Sequence, residues 1–152
     1  MDYTYSERFM RLALDEAEKD PSEVPVGAVI VCDGQVIAQA HNAREADPPD
    51  PLAHAEVLAL RQAAQKLGSR RLTSCEMYVT LEPCPMCAGA LVQSGISACY
   101  FGAYDPAQGC CGSVYTLTQD PAFSHQVRTA GGYLREEAER QLRKFFDNKR
   151  RK

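Results

Sequence analysis

Ala53-His54-Ala55-Glu56-Val57 and, 27 residues after Glu56, Pro83-Cys84-Pro85-Met86-Cys87 decide how this chain is read. Together the two stretches supply one imidazole, two thiolates and a spare carboxylate. Zinc prefers four tetrahedral ligands, so His54, Cys84 and Cys87 would leave its fourth position to water, whose pKa the metal lowers from about 15.7 toward roughly 7. Glu56, two residues from His54, need not ligate the metal and is close enough to exchange protons with that water. The competing reading is a closed structural zinc knot, with Cys32, Cys75, Cys99, Cys110 or Cys111 as fourth ligand. Such a knot has no use for Glu56, and structural ligands come as two close pairs, whereas His54 has no close ligand partner. A redox reading of Cys84 and Cys87 explains neither His54 nor Glu56.

The rest of the composition fits a small enzyme. A chain of 152 residues suits one domain with a sizeable core, and 45% apolar with 24% charged residues is ordinary for a soluble globular protein. No apolar run approaches the roughly 20 residues of a membrane span, and the N-terminus is too polar for a signal peptide, so the expected location is the cytoplasm. Seven cysteines without a regular framework point to reduced thiols and metal binding.

Charge is unevenly placed. Residues 140–152 hold seven Lys or Arg against one Asp, so this segment is +6 and the remainder −9 in a chain of net charge −3. Arg140, Arg143, Lys144, Lys149, Arg150, Arg151 and Lys152 could neutralise phosphates, with Phe145-Phe146 among them as a surface for a base to stack on. A basic helix C-terminus also complements the helix dipole, and a Phe can simply anchor a helix, so the pattern alone leaves RNA binding and plain helix architecture open.

Local patterns give the scaffold. Thr4 and Glu7 form a possible capping box before Phe9, Leu12, Ala13 and Ala17 at helical spacing. Val26–Val31 and Val36–Ala40 flank Asp33-Gly34 and read as a hairpin. A proline-rich acidic loop spans 43–53, after which His54 opens a helical pattern that ends at Gly68. Met77–Leu81 reads as a buried strand, about Cys84–Ser94 as a helix, and Ala98–Phe101 as another strand. A Gly- and Cys-rich loop (105–113), a short strand at Gln126–Thr129 and a basic helix from about Tyr133 complete the chain. Cys84 and Cys87 fall one turn apart at a helix N-terminus, where free amides favour thiolate. Alternating strands and helices imply a three-layer α/β/α domain over 1–152.

The His-x-Glu and Pro-Cys-x-x-Cys segments resemble the signature of the zinc-dependent nucleobase deaminases. Val24-Pro25-Val26-Gly27-Ala28-Val29, Asp50–Glu56, Tyr78–Cys87 with Ala88-Gly89-Ala90, and Phe101-Gly102-Ala103 with Asp105 and Gly112-Ser113 are similar to the bacterial tRNA-specific adenosine deaminases. The likeness runs from about Glu7 to Arg151. It implies a cytidine-deaminase-like α/β fold around a mixed sheet of about five strands, and a homodimer with one Zn2+ per subunit. The implied substrate is the wobble adenosine of a tRNA anticodon stem-loop, deaminated to inosine. The resemblance further implies that Glu56 shuttles protons, that Asn42 hydrogen-bonds the base, and that Val26, Ala55 and Leu81 shape its pocket. Asp105 would support the nucleotide, and Phe145, Lys149 and Arg150 would touch flanking RNA.

Two alternatives stay open: a deaminase of a free base or nucleoside, such as guanine or cytosine, and a non-catalytic zinc-stabilised RNA-binding module. The sequence departs from the family at Tyr104, where a basic residue is common, and at Cys110-Cys111, in place of two small alanines. Glu45, Asp47 and Asp50 make the 43–53 loop acidic, which would repel phosphates unless the loop turns away.

Overall fold

In the computed structural model, which describes residues 5–151, the elements are α1 (Glu7–Ala17), β1 (Gly27–Cys32), β2 (Gln35–His41), α2 (Ala55–Leu67), β3 (Cys75–Leu81), α3 (Pro85–Ser94), β4 (Ala98–Ala103), β5 (Arg128–Ala130) and α4 (Arg135–Arg150). The strands form one five-stranded mixed sheet in the order β2-β1-β3-β4-β5. β1 pairs antiparallel with β2 and with β3, and the β3-β4 and β4-β5 pairs are parallel.

The hairpin forms because Asp33 and Gly34 both take positive φ, 51° and 77°, the twist a two-residue loop needs to return the chain into an antiparallel pair. Sheet residues then alternate between two cores. On one face Phe9, Met10 and Ala13 of α1 bury against Val29, Val31, Tyr78 and Tyr100, and Ala138 of α4 meets Ala103 and Leu14. On the other, Ala55, Ala59, Leu60 and Ala63 of α2 and Ala88 and Leu91 of α3 pack on Ala28, Ile30, Met77, Val79 and Cys99. The expected three layers follow. Gly27 lets α1 approach β1 closely, since a Cβ there would lie 2.0 Å from the carbonyl oxygen of Ala13.

Three boundaries differ from expectation. Thr4 lies outside the described residues; the N-cap of α1 is Ser6, and Glu7 opens the helix. The last strand is Arg128–Ala130 because Val127 spends its N–H on the Thr118 carbonyl (2.7 Å), so pairing with β4 begins only at Arg128. α4 begins at Arg135, two residues late, because Leu134 takes a left-handed φ of 51° and Tyr133 donates its N–H to Phe101. Because β3, α3 and β4 form a parallel crossover unit, the end of β3 delivers the chain to the N-terminus of α3, beside that of α2.

Candidate active site

The two quoted motifs converge through helix caps. His54 is the N-cap of α2 and Cys84 the N-cap of α3, where Pro85 occupies the first turn at no hydrogen-bonding cost. His54 Nδ1 lies 3.7 Å from Cys84 Sγ and 3.6 Å from Cys87 Sγ. A tetrahedral zinc with Zn–N of about 2.0–2.1 Å and Zn–S of about 2.3 Å would set nitrogen and sulfur about 3.5 Å apart, so the triad fits the ion. Among the described residues the group within 4.8 Å contains only His54, Cys84 and Cys87. No other cysteine closes the sphere, which favours the open, reactive arrangement over the structural knot.

The thiols are unequal. Cys84 is pushed down to about 5, chiefly by the hydrogen bond from Cys87 and further by nearby amides and His54, against the effect of burial. Cys87 is pushed up, because its proton is shared with Cys84 and because it is buried. Glu56, in the first turn of α2 and 4% exposed, is raised to about 7 by desolvation first, with the negative charge of Cys84 adding to it, while hydrogen bonds from its own backbone and from Cys87 oppose the rise.

A cavity of about 380 Å³ holds His54, Cys84 and Glu56 together with Val26, Asn42, Leu81 and Asp105 in its wall. Asn42 is buried, and its Oδ1 accepts the N–H of Ala55 (2.9 Å) while Nδ2 donates to the Val24 carbonyl (3.3 Å). One amide hydrogen therefore remains for a ligand. Asp105 both lines the cavity and caps its own turn, accepting from Ala107 and Gln108. Ala55 is fully buried, and its side chain is not part of the wall; it ties α2 to Asn42.

At the C-terminus Phe146 lines the cavity alongside Leu142, and Phe145 does not. Phe145 lies in a groove with Pro21 and Ser22, Lys149 Nζ stands 5.8 Å from its ring, and Arg150 pairs with Asp147. Neither Lys149 nor Arg150 borders the cavity. Of the 43–53 loop only Arg44 lines the cavity; Glu45, Asp47 and Asp50 lie outside its wall.

The residue that sequence reasoning missed is Glu82. It is 1% exposed, lines the cavity, and accepts from the N–H groups of Asp105 (3.0 Å), Cys111 (3.1 Å) and Ser113 (3.0 Å) and from the Ser113 hydroxyl. Burial alone would raise it, but these hydrogen bonds outweigh burial and its pKa is lowered. Gly109 sits against this carboxylate: a Cβ there would lie 2.2 Å from the Glu82 carboxyl carbon. A buried Glu directly before the Pro-Cys pair was the available signal, since a carboxylate at such a place needs several donors.

An imidazole and two thiolates on paired helix N-termini, with a protonatable glutamate in the same cavity, define a deaminase of the zinc-dependent class, and the family model described as the cytidine and deoxycytidylate deaminase zinc-binding region matches residues 4–103. A tRNA-specific adenosine deaminase of Bacillus subtilis (strain 168) is 46% identical over 151 residues, covering 98% of this chain and 93% of the relative. A solved structure from a study of A-to-I editing by tRNA:A34 deaminases superposes with a TM-score of 0.85 at 40% identity, covering 90% of this chain and all of that one. A guanine deaminase from Bacillus subtilis superposes with a TM-score of 0.62 at 39% identity over 66% of each chain. The chain belongs to the tRNA-specific adenosine deaminase family.

Proposed function

We propose that this chain, as one deaminase domain, hydrolyses adenosine to inosine at the wobble position of a tRNA anticodon, releasing ammonia. The observation that carries the reading is a single cavity joining His54, Cys84 and Glu56 to Arg44 and to Leu142 and Phe146, apolar residues of the basic helix α4, so that the chemistry opens beside that helix.

In this reading His54, Cys84 and Cys87 hold one zinc ion per chain. Zinc, when bound, supplies the Lewis acidity that makes water a nucleophile near neutral pH. Glu56 carries protons: it accepts one from the attacking water and delivers it to adenine N1, then takes the second from the hydroxyl now on C6 and passes it to the amino group, which departs as ammonia while C6 becomes a carbonyl. A carboxyl raised to about 7 suits both halves of that task. Asn42 offers its remaining amide hydrogen to the base, Val26 and Leu81 flank the ring, and Asp105 borders the nucleotide. Arg44 in the wall and the cations of α4, Lys149 and Arg150 among them, attract the RNA backbone. Because α4 places Phe146 at the cavity, the flanking-RNA role foreseen for Phe145 falls to Phe146. A homodimer is part of the same reading, with exposed Leu52, Val114 and Tyr115 as available apolar surface, and so is a cytoplasmic location; no helix among the described residues is long and apolar enough to cross a membrane.

The test is inosine formation on an anticodon stem-loop with adenosine at the wobble position, beside free adenosine, cytosine and guanine. Inosine in the stem-loop alone is the expected result. Turnover of free guanine or cytosine with an untouched stem-loop would instead establish a free-base deaminase, and bound zinc without any turnover would leave an RNA-binding module.

A further inference from the structure

The cavity is polar at its base and aromatic at its edge. Tyr104, just past the end of β4, is 39% exposed, and Phe146 on α4 is 44% exposed; both line the same cavity. Tyr104 is held from behind. The edge of buried Phe101 meets it at 5.1 Å and 85°, and the Arg135 guanidinium carbon stands 5.2 Å from its ring centroid. Arg135 is itself fixed by Glu139 at 3.3 Å. The ring is contacted on these sides and keeps exposed surface at the opening.

Only part of a polynucleotide can enter this cavity. Drawing the target base out of its stack uncovers a face of the neighbouring base, and unpaired bases regain that loss on aromatic side chains. A free base or nucleoside has no neighbour and would gain nothing from a ring at the edge. Resting on the wobble-adenosine reading above, we infer that Tyr104 is the stacking platform for an unpaired base adjacent to the one that reacts, with Phe146 as the facing wall. The ring adds affinity without charge, so its contribution is independent of salt, unlike that of the α4 cations.

The experiment uses the zinc-loaded full chain and anticodon stem-loops carrying fluorescent 2-aminopurine on the 5′ or the 3′ side of the wobble nucleotide, with wild type, Tyr104→Phe and Tyr104→Ala compared. In one of the two stem-loops, wild type and Tyr104→Phe are expected to quench the probe, and Tyr104→Ala to leave it bright. The dissociation constant of Tyr104→Ala should rise on the order of 10-fold to 100-fold, with an unchanged slope against salt. Inosine formation at saturating RNA should hold within roughly threefold in all three proteins, because the ring does not touch the reacting atoms. Wild-type quenching and affinity in Tyr104→Ala would overturn the inference. So would a Tyr104→Phe defect equal to that of Tyr104→Ala, which would assign the effect to the phenol hydroxyl. Failure of the underlying reading looks different: wild type would then neither bind the stem-loop nor form inosine in it.

Discussion

Glu56 and Glu82 border the same cavity, are almost equally inaccessible, and have opposite properties. Desolvation raises both. At the α2 corner few donors face Glu56 and the negative Cys84 is near, so its pKa climbs to about 7. At the end of β3 four donors from residues 105–113 converge on Glu82, and its pKa falls below the ordinary carboxylate value. Burial therefore does not set the role of a glutamate in this protein; the supply of donors does. One carboxylate can exchange a proton near neutrality, and the other is a fixed anion that clasps the loop carrying Asp105 and Gln108 into the cavity wall.

The sharpest way to separate the two is to remove charge from each without changing shape. Glu56→Gln should lower the single-turnover rate on the order of 100-fold to 10,000-fold, with zinc content and melting temperature held, checked by rapid-quench assay and metal analysis. Glu82→Gln should do the reverse. Its amide nitrogen would face backbone donors, costing about 3 kcal/mol of stability in denaturant unfolding. That cost has a pH signature. Because the native pKa of Glu82 is lowered, its contribution is fully present above the unfolded value near 4.5 and is lost as pH falls through the native one. The stability gap between wild type and Glu82→Gln should therefore close on acidification below about pH 4.

Smaller changes probe the clasp from its other side. Gly109→Ala inserts a methyl group where the Glu82 carboxylate already lies, so the loop or the carboxylate must shift, at about 1–3 kcal/mol in the same unfolding assay. The Cys110→Ala, Cys111→Ala double variant should matter least. Both thiols are buried, and their contacts include long ones to the Gln108 carbonyl (3.5 Å) and from the Thr118 hydroxyl (3.7 Å). A stability loss of roughly 1–2 kcal/mol with unchanged deamination would mark them as filling.

What could be read from sequence was whatever local chemistry dictates. His54, Glu56, Cys84 and Cys87 are carried on short motifs whose spacing survives folding, and Asp33-Gly34 announces its hairpin through backbone conformation alone. Glu82 was hidden because its partners stand 23 to 31 residues away and three of the four donors are backbone amides, which no side-chain pattern reveals. Choosing between Phe145 and Phe146 was equally out of reach: adjacent residues on a helix point about 100° apart, and only the seating of α4 decides which one meets the cavity. The Ala55 N–H that binds Asn42 Oδ1 was hidden for a related reason, since it too is a backbone contact.

The most direct test of the account is a side-by-side single-turnover assay of inosine formation at saturating anticodon stem-loop for wild type, Glu56→Gln and Glu82→Gln, each with its zinc content measured. The account predicts a folded, zinc-bearing Glu56→Gln that is nearly inert and a less stable Glu82→Gln whose rate stays within about tenfold of wild type. A Glu56→Gln protein that retains zinc and deaminates at the wild-type rate would contradict it.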